Sequence, residues 1–285
     1  LNWTRHPDAA SFLATAGPML EADLLLNQTP LGVARQIVAE PSRWPDPRLY
    51  TVHGDDGAVL GTVLQTPPWL PHVSDMPLPA LVFAAGRFAD AHRDAGGVFG
   101  SEEAAIAFAA VLLTRRDGVS SVDVERMGLF ELTAVAEVPR PPGRFRRARP
   151  SDAPLLQRWI EAFTAEAVPH EPPPGPTAGE RAIARGGVRF WEVEGDSVAY
   201  ANFGRDLGTH VSIGPVFTPP ERRGRGFATG LVAEMSAAAL AEGRVGCTLF
   251  TDLANPTSNR IYERIGYVRV GTMRRIGFVT DEHAI

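Results

Sequence analysis

Apolar residues run almost unbroken from Val211 to Thr218, the reading of a buried strand, and Pro219-Pro220 ends the run. Beyond it Phe227, Leu231, Met235 and Ala238 recur at helical spacing, and a second strand comes over Cys247 to Asp252. Upstream, Phe145 to Ala148 reads as a strand and Ser151-Asp152 as a helix cap. Leu155, Leu156, Trp159, Ile160 and Phe163 then mark a first helix. Two further patterns resemble each other: Leu49 to Gly57 leads into Val59 to Thr66 much as Phe190 to Asp196 leads into Val198 to Phe203. Each reads as two strands joined by a Gly/Asp turn.

The strand and helix around Pro219 enclose Arg223-Gly224-Arg225-Gly226-Phe227-Ala228, which fits Arg/Gln-x-x-Gly-x-Gly/Ala. A side-chain-poor loop at a helix start presents backbone N–H groups at the positive end of the helix dipole, a place for phosphate. It is neither of two common phosphate loops. Gly-Lys-Ser/Thr is absent, and after Gly224-x-Gly226 the next glycine, Gly230, comes one position late for Gly-x-Gly-x-x-Gly.

The residues downstream of the helix distinguish it: the strand to Asp252, then Asn255-Pro256-Thr257-Ser258-Asn259-Arg260-Ile261-Tyr262, then Gly266-Tyr267. This ordered set resembles the GNAT superfamily of acyl-CoA-dependent N-acyltransferases, from the Arg-rich segment near Arg144 to the C-terminus. The resemblance implies an α/β (α+β) fold in which the loop holds the CoA pyrophosphate and two strands splay to admit the pantetheine arm. It implies acetyl-CoA as cosubstrate and no metal.

Organisation is set by Pro139-Arg140-Pro141-Pro142-Gly143, which neither helix nor central strand tolerates. We expect two GNAT-like domains in tandem, each a mixed twisted sheet flanked by helices. Residues 1–140 would be a degenerate copy without the phosphate loop, and residues 141–285 the acyltransferase domain. In the first half, Gly96 to Ser101 precedes a helical run from Ala104 to Leu113, but no Arg-x-x-Gly-x-Gly/Ala stands there and no Asn-to-Tyr helix comes after it. A CoA in that half is not expected.

Composition narrows partners. The chain has 285 residues and a formal charge of -5, with every one of its 28 basic Lys+Arg positions an arginine. An acidic balance disfavours nucleic acid and mildly favours a cationic acceptor. Arg144, Arg146, Arg147 and Arg149 alternate with apolar residues, as a solvated strand edge would. The single cysteine, Cys247, lies mid-strand and reads as a small buried hydrophobe. With no leader pattern and no spanning apolar run, a soluble cytoplasmic protein without membrane contacts is expected.

The chemistry of an amine attacking a thioester assigns roles that the resemblance places on residues. Tyr262 would protonate the departing thiolate. Backbone N–H groups around Val216, Phe217 and Thr218 would polarise the carbonyl, excluding Pro215, which has no N–H. Arg223, Gly224, Arg225, Gly226, Phe227, Ala228 and Thr229 would hold the phosphates, with Arg222 a solvated neighbour. Asn255 and Ser258 would bond the pantetheine amides or else cap the helix. Glu166, beside the Pro-rich lip His170 to Pro176, is the first choice for a base, with Glu171, Asp206 and His210 as rivals. The expected function is N-acetylation of a primary amine of a small molecule or peptide. The alternative is a CoA-binding regulatory protein with little or no turnover.

Overall fold

The computed structural model describes residues 1–280. The last five positions of the expected second domain lie outside the described residues. The chain forms two compact units, one of Leu1–Leu129 together with the segment from Gly271, the other of Phe130–Val270. The sequence places the division at 140/141. The structure places it earlier, and the segment from Gly271 returns to the first unit.

The first unit runs β1 (Asn2–Arg5), α1 (Ala9–Ala22), α2 (Gln28–Ala39), β2 (Arg48–His53), β3 (Val59–Gln65), β4 (His72–Val73), α3 (Leu78–Ala91), β5 (Gly97–Ser101), α4 (Glu102–Leu113) and β6 (Val119–Leu132), the last three residues of which belong to the second unit. The second runs β7 (Arg144–Arg147), α5 (Ala153–Ala167), α6 (Ala178–Ala184), β8 (Val188–Val193), β9 (Asp196–Asp206), β10 (His210–Phe217), α7 (Phe227–Ala241), β11 (Gly246–Asp252) and α8 (Pro256–Ile265). β12 (Val268–Thr280) completes the first unit by pairing antiparallel with β5, from Met273↔Ser101 to Gly277↔Gly97. This long-range pairing is why the C-terminal strand leaves the unit that precedes it in sequence.

In the first unit the strand order is β1-β2-β3-β4-β5-β12-β6. Successive strand residues face opposite sides, so Leu49 and Leu64 pack with Phe12, Leu20 and Leu31 of α1 and α2. Tyr50, Val52 and Val63 pack on the other side with Phe88 and Phe108 of α3 and α4. The hairpin read from Leu49 to Thr66 is β2–β3.

The second unit has the order β11-β10-β9-β8-β7. Trp191, Ala199, Ala201, Ile213 and Leu249 face α7 and α8, burying Phe227, Leu231, Met235 and Tyr262. Phe190, Tyr200 and Phe217 face α5, against Leu156, Trp159 and Phe163. Two of the three arginines of β7 are engaged: Arg144 and Arg146 both bind the buried Glu192 of β8, and Arg146 also binds Asp152.

Candidate functional site

β10 and β11 are parallel neighbours joined through α7, and their pairing runs His210↔Gly246, Val211↔Cys247 and Ser212↔Thr248. Both strands continue past that last pair, to Phe217 and Asp252. A gap thus opens between their C-terminal ends. On its other edge β10 stays paired with β9 through Val216↔Ala201 and Phe217↔Tyr200. Because consecutive strand residues send their N–H groups to opposite edges, one of Val216 and Phe217 directs its N–H towards the gap.

At the mouth of the gap the backbone turns twice, with Arg222 N–H donating to Pro219 O and Arg223 N–H to Pro220 O. Gly224 (φ 75°) and Gly226 (φ 79°) are left-handed, and Gly226 is the N-cap of α7. A Cβ at Gly226 would meet only Pro141 Cβ at 3.9 Å, so φ rather than crowding demands glycine there. The first intrahelical bond is Gly230 N–H to Gly226 O at 2.9 Å. The N–H groups of Phe227, Ala228 and Thr229 are therefore free of the helix ladder and point out of its positive end. The Phe227 ring is buried in the core, so this residue serves the loop through its backbone only.

The loop arginines divide the work. Arg223 turns back onto α5: its Nη2 donates to Glu166 Oε2 at 2.6 Å and its Nε to Thr218 O at 2.9 Å. Arg222 pairs with Asp196 at 3.6 Å. Arg225 lies over the Phe227 ring, 5.0 Å from its centroid, and is the loop arginine with no acidic partner among the described residues. Of the two arginines expected to contact phosphate, Arg223 is thus engaged by Glu166 and Arg225 has no acidic partner among the described residues.

Tyr262 is 9% exposed, in the same cluster as Ile213 and Leu249, which flank the widening gap. Its ring meets Tyr267 edge-on at 6.0 Å. Burial raises its hydroxyl pKa to about 12, so the phenol keeps its proton at neutral pH. Asn255 Oδ1 accepts from Ser258 N–H at 3.0 Å; both residues are thus engaged in capping α8. Two polar atoms near the gap are buried without a partner, Thr218 Oγ1 and Asn259 Oδ1. Asn259 Nδ2 donates to Leu253 O at 3.3 Å, which orients the amide. The sequence motif contains Asn259 but assigns it no role. Its spacing, four after Asn255 and three before Tyr262, is the available signal for a shared helix face.

The rival bases are not gathered at the mouth. Asp206 forms a two-point pair with Arg244, and His210 bonds Glu131 at 2.9 Å; both lie at the opposite end of β10 from the loop. Glu171 sits in the segment between α5 and α6, where its charge reaches Arg205. Among the described residues no three His, Cys, Asp or Glu converge as metal ligands. No helix among them is long and apolar enough to cross a membrane. Cys247 is buried, and burial raises its thiol pKa to about 11.

The counterpart in the first unit is the parallel pair β4–β5 joined through α3. Its residues differ from those the glycine cluster suggests: Gly97 to Ser101 is a strand, and the loop entering the helix is Ser74 to Pro77. β4 stays paired to its last residue, Val73↔Gly100, where a Cβ on Gly100 would stand 2.7 Å from Val73 O. Asp75 occupies the loop and accepts a hydrogen bond from Ser101 Oγ. No gap opens, and a carboxylate stands where a phosphate would have to approach.

Residues 155–267 match the sequence profile of the acetyltransferase (GNAT) family. This segment is similar to the GNAT acetyltransferases. No curated protein matches the chain. Among solved structures, a GNAT-family acetyltransferase from Colwellia psychrerythraea aligns over 98% of this chain and 100% of its own, with TM-score 0.58 and 11% identity. A GCN5-related N-acetyltransferase from Sphaerobacter thermophilus aligns over 98% and 96%, with TM-score 0.58 and 16% identity. A tandem GNAT protein from the clavulanic acid biosynthesis pathway aligns over 98% of both chains, with TM-score 0.56 and 14% identity. At such identities the likeness is one of fold alone, and it extends over nearly the whole chain.

Proposed function

We propose that the GNAT domain binds acetyl-CoA and transfers its acetyl group to a primary amine. The observation that carries this is the parting of β10 and β11 beside a loop with two left-handed glycines, with Tyr262 in the core cluster that also holds Ile213 and Leu249. The residues fit the cosubstrate: free N–H groups from Phe227 to Thr229 suit a pyrophosphate, Arg225 suits a further phosphate, and the orphan atoms Thr218 Oγ1 and Asn259 Oδ1 offer polar contacts to a polar arm.

Acetyl-CoA supplies an activated thioester. The N–H of Val216 or Phe217 that faces the gap bonds the carbonyl oxygen as negative charge develops there. The amine nitrogen forms its bond to the acetyl carbon, the carbon–sulfur bond breaks, and the Tyr262 hydroxyl gives its proton to the sulfur. The amine loses one proton to water, and the phenol recovers one. Glu166 in this reading braces the loop through Arg223, since one of its carboxylate oxygens is already engaged.

A second reading, a CoA-binding regulatory protein, draws on the engagement of Glu166, Asp206 and His210, three of the four candidate bases, by other residues. Tyr262→Phe separates the two. Acetyl transfer to an amine panel, measured in a single turnover, should fall by about 10² to 10⁴ while CoA affinity stays the same. An unchanged single-turnover rate refutes the acid assignment, and absence of any acetylated amine with the unaltered protein favours the regulatory reading.

A further inference from the structure

Arg205 stands at the far end of β9, and its backbone N–H donates to Ser212 Oγ at 2.6 Å. Ser212 forms, with Thr248, the last parallel pair before β10 and β11 separate. Arg205 therefore lies one strand from the root of the gap, across β10 at the level of Ser212. The pairing of β9 with β10 steps there from Val211↔Asp206 to Ile213↔Phe203, so three positions on β9 oppose two on β10. Such a bulge re-aims the side chains it carries.

The guanidinium that results is unusual in this unit. Arg146 has Glu192 and Asp152, Arg244 has Asp206, and Arg189 has the carbonyls of Gly186 and Val188. Arg205 is partly buried, yet its side chain makes no hydrogen bond or ion pair with a described residue and has no ring beneath it. Burial lowers its pKa, and Glu171, in the segment between α5 and α6, is the acid whose field opposes that. A guanidinium withdrawn from water without an oxygen partner is costly, and its flat fork matches a carboxylate at two points.

We propose that Arg205 anchors a carboxylate on the acceptor, so that the amine acetylated at this site belongs to an amino acid or another amino-carboxylate. This rests on the acetyltransferase reading above and narrows it. The chain's overall negative charge does not oppose it, because the contact is local and partly shielded from solvent.

The test uses the full chain, acetyl-CoA and a panel of amino acids, each paired with its own carboxamide. The unaltered protein should prefer the acid over the amide by about tenfold or more in kcat/KM, carried by KM. In Arg205→Gln the loss with acids should exceed the loss with amides by that factor, and Arg205→Lys should restore part of the preference. CoA affinity measured on each variant confirms that it is folded. Equal use of acids and amides by the unaltered protein, or equal losses in Arg205→Gln, overturns the proposal and leaves the acetyltransferase reading standing. If no amine is acetylated, that reading fails instead, and calorimetry of the same acids and amides with CoA-loaded protein decides about Arg205. Acid binding lost in Arg205→Gln supports the anchor, and no acid binding overturns it.

Discussion

Arg223 and Glu166 join the start of the phosphate loop to the last turn of α5 at 2.6 Å, and the same guanidinium holds the Thr218 carbonyl at 2.9 Å. The two side chains are 44% and 53% exposed, so the pair adds at most about 1 kcal/mol to stability. Its effect should be on loop position. Glu166→Gln should leave thermal unfolding nearly unchanged, weaken CoA binding by about two- to fivefold, and keep the acid limb of the pH–rate profile. Loss of that limb with unaltered CoA affinity would make Glu166 the base.

Gly226 tests the loop itself. At φ 79° a β-branched side chain is strained by about 1–2 kcal/mol, although space for its Cβ is open. Gly226→Val should lower stability by that amount and CoA affinity by about tenfold or more, with Gly226→Ala milder in both. Thermal unfolding and calorimetry read the two effects, and unaltered CoA affinity in the valine variant would count against the loop.

Arg146 should be a stability determinant rather than a nucleic-acid contact. Its side chain and those of Glu192 and Asp152 are 12%, 7% and 14% exposed, and Arg146→Ala leaves the two carboxylates short of their partner. A loss of about 3 kcal/mol is expected from denaturant unfolding at neutral pH. Burial alone would raise Asp152, but Arg146 and the Arg149 N–H outweigh it, and Arg144 with Arg146 holds Glu192 low. Stability from depressed carboxyls is present above their unfolded values and lost as pH falls through the folded ones. The Arg146→Ala deficit should therefore shrink on acidification, and a deficit that grows would contradict the network.

Burial raises the pKa of all four tyrosines, Tyr50, Tyr200, Tyr262 and Tyr267. Their contribution to stability is complete below the unfolded value of about 10 and is lost as pH climbs through the folded values. For Tyr262 that window closes at about 12. Tyrosinate absorbance should stay low near pH ~10 and rise later, together with loss of native circular dichroism. A phenol ionising near its ordinary value in the folded protein would contradict this.

The C-terminal half is largely legible in the sequence because its signals are local. Pro219-Pro220, the left-handed glycines and the Asn255 cap each act within a few residues, so Val211–Thr218 and Cys247–Asp252 appear as β10 and β11 within a residue at either end. The hidden features depend on distant partners. The return of β12 to β5 is a pairing between residues far apart in sequence, and nothing in Val268–Thr280 announces it. Gly96 to Ser101 stands in the sequence as a glycine cluster before a helical run, but Gly97 to Ser101 is a strand, and Gly100 is needed for its close approach to Val73. The turn of Arg223 towards α5, and the lack of a partner for the Arg205 side chain among the described residues, are side-chain facts that spacing does not encode.

The second unit has one open gap, whereas in the first β4 and β5 stay paired and Asp75 fills the loop. The proposed function therefore predicts one binding site per chain. Titration of CoA into the full chain by calorimetry measures it: one equivalent per chain is predicted, and no binding, or two equivalents, would contradict it.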